Sequence, residues 1–295
     1  MRVHPFIEAE RVAGSSVVKC CSLLKVSTSA FYERASATPS AKNLSDATLT
    51  AQITTIHTES KGTYGVPRVH QALRKQGIQC GPRRVRRLMR LAGLEGRCKK
   101  RFRTTTVADP DFESALDLIH RAFGTSHTLD RRYVGDITYI ATWEGWAYLA
   151  TVIDLSSRRI VGWAMADHMR TELVEDALTM ALSTRRPDAG VIFHSDRGCQ
   201  YTSKDFAALA AANGVVLSIG RKGECWDNAV AESFFATIKR ELVDTRSWPT
   251  RQGLRRALFD YIEGWYNTKR LHSSLNYCSP AEWESVNCNA VALAA

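Results

Sequence analysis

The 295-residue chain lacks any apolar run close to the ~20 residues that a membrane-spanning helix needs. Near its start lie Glu8, Glu10 and Arg11, where a secretory signal would need an uninterrupted apolar stretch. Both absences argue against an integral membrane protein and against secretion. We therefore expect a cytoplasmic protein without a membrane partner.

Paired metal-binding cysteines are absent as well. The chain has eight cysteines but no C-x-x-C pair, and Cys20 and Cys21 are adjacent, which suits neither a zinc site nor a simple disulfide. Because no secretory signal is present, we expect reduced, structural thiols.

Acidic residues are scarce in one segment. Residues 61–103 contain fourteen Lys or Arg residues and a single acid, Glu95, while the whole chain has a net charge of +10. This segment therefore accounts for the polycationic character of the chain. It indicates a polyanionic partner, with nucleic acid as the first candidate and an anionic membrane surface as the second.

Two short helices are predicted within this basic segment. Pro67 and Gly77 mark the ends of the first, and Pro82 and Gly93 those of the second. The apolar stripes comprise Val69 and Leu73, then Val85, Leu88, Met89 and Ala92. The residues directed away from the second stripe are Arg83, Arg84, Arg86, Arg87 and Arg90. We predict a helix-turn-helix-like module that contacts mainly DNA phosphates; a solvated charged helix pair is the alternative.

Shifts in composition divide the rest of the chain. Residues 15–35 predict two short helices, the second capped by Ser27, and linkers are predicted at 36–46 and 103–111. The predicted units are a helical arm or small helical unit at 1–40, the basic module at 41–103, a linker at 104–127, an α/β unit at 128–245 and a C-terminal helical extension at 246–295.

Residues rich in β-branched and aromatic side chains begin near residue 130. "YVGDITYIAT", "WAYLATVIDL" and "RIVGWAMA" predict three strands in an antiparallel meander. A helix over 172–184, the strand "GVIFH", a helix capped by Ser203, the strand "VVLSI" and a helix capped by Asp227 follow. This order predicts an α/β fold with a mixed five-stranded sheet, two parallel additions and helices on both faces.

Three acids lie where the functional groups of an α/β sheet gather. Asp136 interrupts the first strand, Asp196 follows the fourth, and Glu232 lies on the last helix. Carboxylates that meet without compensation repel one another, and a divalent cation removes that repulsion. Oxygen ligands suit Mg²⁺ or Mn²⁺, and two such ions can clamp an in-line phosphoryl transfer. We interpret Asp154, which ends the second strand beside two serines, as a structural turn acid.

Several longer motifs resemble a known family. Thirty-five residues separate Asp196 from Glu232, and Lys239 follows Glu232 by seven. That spacing is similar to the spacing in DDE transposases and retroviral integrases. "HSDRGCQYTS", "DNAVAESFFATIK" and "YNTKRLHSSLNYCSPAEW" resemble the second-reading-frame protein of bacterial insertion sequences, and "GTYGVPRVHQALRKQGI" resembles the helical domain before its core. The resemblance covers about residues 41–283.

The resemblance implies an RNase H-like core and a DNA transposase that depends on Mg²⁺ or Mn²⁺. Asp136, Asp196 and Glu232 match its catalytic, metal-binding acids. Water would cut at the ends of the mobile element, and the freed 3′-hydroxyl would attack a second phosphodiester. The implied partners are double-stranded DNA at the element ends and target, further copies of this chain, and an upstream-frame protein or fusion. The bacterial nucleoid is then the expected location.

The resemblance also implies roles for residues around the acids. Lys239 matches a position that contacts DNA near the cleaved bond. His194 and Asn228 match positions that flank the acids and would order the loop or the metal surroundings. Local hydrogen bonding is the alternative role for both.

Two alternatives to a transposase stay open. One is an RNase H-like nuclease that hydrolyses DNA and never joins it. The other is a DNA-binding protein with an inactive core. The C-terminal motif favours the transposase over a bare nuclease, and the intact acids argue against an inactive core.

Overall fold

The computed structural model describes residues 3–35, 40–97, 128–219 and 229–294, with side chains described as far as 287. The predicted linker at 103–111, the cap Asp227 and the site candidate Asn228 lie outside these residues. None of the helices in the described ranges is long and apolar enough to cross a membrane.

Three short helices form the N-terminal unit: α1 (Val3–Val12), α2 (Val17–Leu23) and α3 (Thr28–Ala35). They enclose a small apolar cluster of Ile7, Val17, Cys21 and Phe31. The Ser27 hydroxyl accepts the amide N–H of Ala30 at 3.4 Å, so the predicted cap begins α3. Helix α1 was not predicted. Its residue Ile7 packs against the two predicted helices, so the three helices share one small core.

The basic module consists of α4 (Ala41–Glu59), α5 (Val66–Lys75) and α6 (Pro82–Leu91). The two predicted helices are confirmed, and each is followed by a glycine with positive φ, Gly77 at 78° and Gly93 at 65°. Their predicted apolar residues are buried except Ala92, which lies beyond the end of α6 and is exposed.

The linker predicted at 36–46 is wrong for residues 41–46. These residues form the first turns of α4, and the hydroxyl of Ser40 accepts the amide N–H of Asn43 at 3.2 Å. The polar composition that suggested a linker is that of a capped, solvent-facing helix start. Leu49, Ile53 and Ile56 are buried further along α4, where they pack with α5 and α6.

A five-stranded mixed sheet forms the centre of the molecule. Its strands are β1 (Arg132–Thr142), β2 (Gly145–Asp154), β3 (Ile160–Ala166), β4 (Val191–Ser195) and β5 (Val215–Ile219), in the order β3-β2-β1-β4-β5. The first three strands pair antiparallel, whereas β4 pairs parallel to β1 and to β5. The predicted meander with two parallel additions is confirmed.

Helices cover both faces of this sheet. On one face, α7 (Thr171–Arg185) and α8 (Lys204–Ala212) pack over residues such as Tyr133 and Phe193. A side chain at Gly162 of β3 would clash with the backbone of α7, since its Cβ would lie 2.2 Å from the carbonyl oxygen of Ala177. On the opposite face, α9 (Ala229–Glu241) and α10 (Arg251–Tyr261) share a core with β1 and β2.

The C-terminal part joins the sheet to the basic module. Helix α10 continues into a π-helical turn at Ile262–Tyr266, and α11 spans Pro280–Ala294. The hydroxyl of Tyr64 accepts the amide N–H of Leu271 at 2.7 Å, and Arg68 Nε donates to the carbonyl of Leu271 at 3.0 Å. One apolar cluster runs from Leu73 of α5 through Trp265 to the sheet. The predicted domain boundaries remain a prediction, but these segments pack against one another.

Candidate active site

Two of the three predicted acids are brought side by side by strand pairing. Strands β1 and β4 run parallel with Val134 opposite His194, and Asp136 and Asp196 each follow two residues further along. Because side chains alternate along a strand, Asp136 lies on the same face of the sheet as Val134, the face that α9 covers. Asp196 comes directly after the last residue of β4.

The residue before Asp136 lets the sheet pack closely at this point. A Cβ on Gly135 would lie 2.3 Å from the ring of Phe193, which occupies the opposite face of the sheet. Glycine at this position therefore keeps β1 and β4 packed while the next residue faces α9.

The third acid is carried by a well-anchored helix. Glu232 lies in the first turn of α9, and the buried residues of this helix are Ala231, Phe234, Phe235, Thr237, Ile238 and Glu241. The rings of Phe234 and Tyr266 meet edge to face, with centroids 4.9 Å apart. This packing holds α9 against β1 and leaves Glu232 exposed.

The electrostatics show that these acids are neighbours. The pKa of Asp136 is raised to about 7, chiefly by burial, against a weaker lowering by the backbone N–H of Ile137. The charges of Asp196 and Glu232 contribute to this rise, and the charge of Lys239 opposes it. Burial also raises the pKa of Glu232. Asp136 therefore lies within reach of two other carboxylate charges, which repel its own, and of one lysine.

The donor atoms suit a hard divalent cation, although the described side chains do not form a finished metal site. In the described ranges, no group of three or more His, Cys, Asp or Glu residues is arranged to hold a metal ion. One oxygen of Asp136 accepts the N–H of Ile137 at 2.8 Å, and one of Asp196 accepts the N–H of Gly198 at 3.0 Å. Each aspartate keeps a second oxygen that forms no hydrogen bond within the described part of the chain. Carboxylate oxygens of this kind are what Mg²⁺ and Mn²⁺ bind.

Lys239 lies two helical turns after Glu232. Its Nζ lies 5.2 Å from the centroid of the Tyr139 ring, a cation–π arrangement, and its charge reaches Asp136. The side chain thus lies between the acids and an exposed aromatic surface on β1.

Family models match most of the chain. One described as Integrase core domain matches residues 127–225, another with the same description matches 213–280, and one described as HTH-like domain matches 44–102. The transposase for insertion sequence element IS904 of Lactococcus lactis is 38% identical over 84% of this chain and 98% of that protein. The transposase InsF for insertion sequence IS3A of Escherichia coli is 35% identical over 96% of this chain and 99% of that protein.

This chain belongs to the insertion-sequence transposase family. The predicted resemblance is therefore confirmed, and with it the enzyme class, a polynucleotidyl transferase. Among solved structures, a simian T-cell lymphotropic virus intasome is 13% identical, covers 79% of this chain and 74% of its own, and has a TM-score of 0.45.

The other residues predicted near the acids of this transposase fall in different surroundings. His194 is buried on β4, and its Nδ1 lies 2.9 Å from the hydroxyl of Ser218 on β5, a contact that ties the two strands together. Asp154 is buried, and its carboxylate accepts two hydrogen bonds from Ser157, one from the amide N–H at 2.9 Å and one from the hydroxyl at 2.7 Å. The structural role predicted for Asp154 is confirmed.

The five arginines of α6 divide into two groups. Arg83, Arg86 and Arg90 are exposed. Arg84 Nε donates to one oxygen of Asp46 at 2.8 Å, and a terminal nitrogen of Arg87 donates to the other at 2.6 Å. Hydrogen bonds from Arg87 and then Arg84 lower the pKa of Asp46. The transposase thus uses two of the five to hold α6 against α4.

Sequence reasoning missed a buried ion pair on the helix that carries Glu232. Arg270 donates to both oxygens of Glu241, at 2.7 and 2.9 Å, and the hydroxyl of Tyr261 donates to the same carboxylate at 2.7 Å. The available signal was an arginine inside the motif "YNTKRLHSSLNYCSP", which needs an acidic partner if it is buried.

Proposed function

We propose that this transposase cuts DNA at the ends of an insertion sequence and joins the freed ends to new DNA, using Asp136, Asp196 and Glu232 as the ligands of divalent cations. The observation that supports the proposal is that the charges of Asp196, just after β4, and of Glu232, on α9, both act on Asp136 of β1. Such a cluster is costly in a folded protein unless a cation compensates it.

The site residues have separate roles in this proposal. Asp136 and Asp196, at the carboxyl end of the parallel strands, would hold the cations that bind the reacting phosphate group, and Glu232 would add a ligand from α9. When bound, Mg²⁺ or Mn²⁺ neutralises the three acids and stabilises charge on the attacking and leaving oxygens. Lys239 binds a phosphate beside the reacting one.

One site suffices for two chemically equivalent steps. In cutting, the oxygen of water bonds to phosphorus and the bond to the bridging 3′ oxygen breaks, which leaves a 3′-hydroxyl. In joining, that 3′-hydroxyl oxygen bonds to a target phosphorus, and the target's own bridging 3′ oxygen leaves. Each attacking oxygen loses its proton to solvent, and each leaving oxygen gains one.

The basic module supplies non-specific attraction to DNA. Arg83, Arg86 and Arg90 present an exposed basic face on α6, which suits contacts to phosphates rather than to base edges. Double-stranded DNA at the element ends and target, further copies of this chain, and an upstream-frame protein or fusion complete the proposed assembly.

The test uses labelled duplexes that contain the element ends, incubated with the full chain in Mg²⁺, Mn²⁺ or a chelator. A second protein, fused to the upstream-frame product, is tested in parallel. We expect metal-dependent nicks with 3′-hydroxyl ends, together with joined products that disappear when the 3′ end is a dideoxynucleotide. Cutting without joining by both proteins would identify a nuclease, and products in the chelator would contradict the metal dependence.

A further inference from the structure

Exposed aromatic residues cluster beside the candidate acids. Tyr139, Trp143 and Trp146 lie on the β1–β2 hairpin with 59%, 76% and 52% of their surfaces exposed. Tyr139 and Trp146 meet edge to face with ring centroids 5.2 Å apart. Three large rings this exposed at one site indicate a surface that a partner covers.

These rings border a groove between the hairpin and the segment that follows α9. Its cavity measures about 440 Å³, and the lining includes Trp143, Trp146, Lys239, Arg246 and Trp248. This volume lies within the range of small-ligand sites, roughly 300–1,000 Å³. The groove is therefore large enough for one nucleobase.

Positive charge accompanies the rings. Lys239 lies 5.2 Å from the Tyr139 ring centroid, and the guanidinium of Arg246 lies 4.4 Å from that of Trp248. Asp244 is the only acid among the described residues that line the groove. Rings flanked by cations are the arrangement that binds unpaired nucleic acid, because bases stack on the rings and phosphates pair with the cations.

The hairpin is held firmly in place. The amide of Trp143 donates to the carbonyl of Trp248 at 3.0 Å. Arg251 donates through its amide to Glu144 at 2.7 Å and through Nε to the carbonyl of Trp146 at 3.1 Å. The exposed rings therefore lie on a fixed platform rather than on a loose loop.

We infer that this groove receives an unpaired base of the DNA strand next to the bond that is cut, with the base stacked on the rings of Trp143 and Trp146 and its phosphates near Lys239 and Arg246. The inference rests on the proposed function, because it places the reacting strand at the three acids. Lys239 lies 5.2 Å from the Tyr139 ring centroid and its charge acts on Asp136, so the groove adjoins the acids. Unstacking a base there would bend the strand into the site.

The experiment measures binding with the full chain carrying Asp136→Asn, so that no cutting is required. Element-end duplexes carry an abasic nucleotide at each position near the cleaved bond in turn, and fluorescence anisotropy gives the affinity of each. The variants are Trp143→Ala, Trp143→Phe and Phe259→Ala, the last removing an exposed ring of α10 outside the groove.

We expect Trp143→Ala to weaken binding to intact DNA roughly tenfold, the loss of one stacked base. At one abasic position that loss should fall below about twofold, because the base that stacks is already absent. Trp143→Phe should keep most of the affinity, and Phe259→Ala should keep all of it. Melting temperature and sedimentation velocity of each variant check folding and association.

Equal losses at every abasic position, or no loss on intact DNA, would overturn the inference. A Trp143→Ala variant that changes the oligomeric state instead would assign the groove to contact between copies of this chain. If the protein neither cuts nor joins DNA but shows the position-specific loss, the proposed function fails while the groove assignment stands.

Discussion

Two glutamates on α9 have opposite environments. Glu241 is buried, and burial alone would raise its pKa; the hydrogen bond and charge of Arg270, together with the hydrogen bond from Tyr261, outweigh burial and lower the pKa below the ordinary 4.5. Glu232 lies in the first turn of the same helix, is exposed, and makes no hydrogen bond or ion pair within the described ranges. The protein pairs the Glu241 carboxylate with hydrogen-bond donors, whereas the charge of Glu232 acts on another acid, Asp136.

The same helix thus carries one glutamate with a structural role, Glu241, and one that is a candidate for function, Glu232. Glu241 joins α9 to the C-terminal segment through a bidentate bond and a tyrosine hydroxyl, which is the arrangement that makes a buried charge tolerable. The charges of Asp196 and Glu232 instead raise the pKa of Asp136. Groups arranged against stability in this way are a mark of a functional site.

The largest effect that would test this comparison comes from removing the charge of the clustered acids. We expect Asp136→Asn, Asp196→Asn and Glu232→Gln each to slow cutting and joining by at least roughly 1,000-fold, because several kcal/mol of transition-state stabilisation are lost. Rates on labelled element ends measure the effect. Asp260→Asn, an exposed acid of α10, is the matched control.

The same three variants should fold at least as well as the parent chain in the absence of metal, since their substitution relieves repulsion. A variant that loses activity only in proportion to lost melting temperature would make its acid structural, and the contrast with Glu241 would disappear.

The next largest effect concerns Glu241, the carboxylate that is paired with Arg270. We expect Glu241→Gln to lower the free energy of unfolding by about 3–5 kcal/mol, because Arg270 is left as a buried charge without its partner. Urea denaturation measures the loss. Glu282→Gln, which removes an exposed bridge to Lys75, should cost less than about 1 kcal/mol. Similar losses for both would show that the buried pair contributes nothing special.

The pH dependence of that stability gives a third test. Since the pKa of Glu241 is lowered on folding, its contribution is present above the unfolded value near 4.5 and is lost as the pH falls through the folded value. The stability gap between parent and Glu241→Gln should therefore be constant near neutral pH and narrow below about pH 4.5. Denaturation midpoints between pH 7 and pH 3 measure it, and a gap that widens in acid would contradict the assigned pKa.

The smallest effects concern α6, where some arginines are paired with Asp46 and others are exposed. Arg86→Ala should reduce the slope of log affinity for DNA against log salt by about 1, whereas Arg84→Ala should leave the slope nearly unchanged. Instead, Arg84→Ala should cost up to about 1 kcal/mol of stability, because its bond to Asp46 is lost. Equal slopes for the two variants would remove the division between the arginines.

Local signals predicted most of the elements and missed particular ones for identifiable reasons. Ser203 was predicted as a cap, and its hydroxyl accepts the amide of Phe206 at 3.1 Å. The Ser, Asn and Asp residues at the start of α4 predict a linker because these residue types are typical both of loops and of helix starts. What separates the two is the later burial of Leu49 and Ile53, a tertiary feature.

The candidate site was predictable in its residues and less so in its surroundings. An aspartate inside an apolar strand and another after a strand are visible without a structure. The pairing of both Arg84 and Arg87 with Asp46 cannot be predicted from the sequence, because it joins residues that lie far apart in the chain. The pairing of Arg270 with Glu241 was missed for the same reason, since the residues next to each of them in sequence do not indicate that its side chain is buried.

Periodicity, caps and motifs in the amino-acid sequence alone determined the order of helices and strands, the family, and which acids are candidates for catalysis. The tertiary structure decided that β1 and β4 pair with Val134 opposite His194, that α9 brings the charge of Glu232 within reach of Asp136, and that the hairpin exposes its rings beside Lys239. The physical reason is the range of the forces involved. Backbone propensity and capping act within a few residues, whereas burial and charge pairing depend on which distant segments pack together.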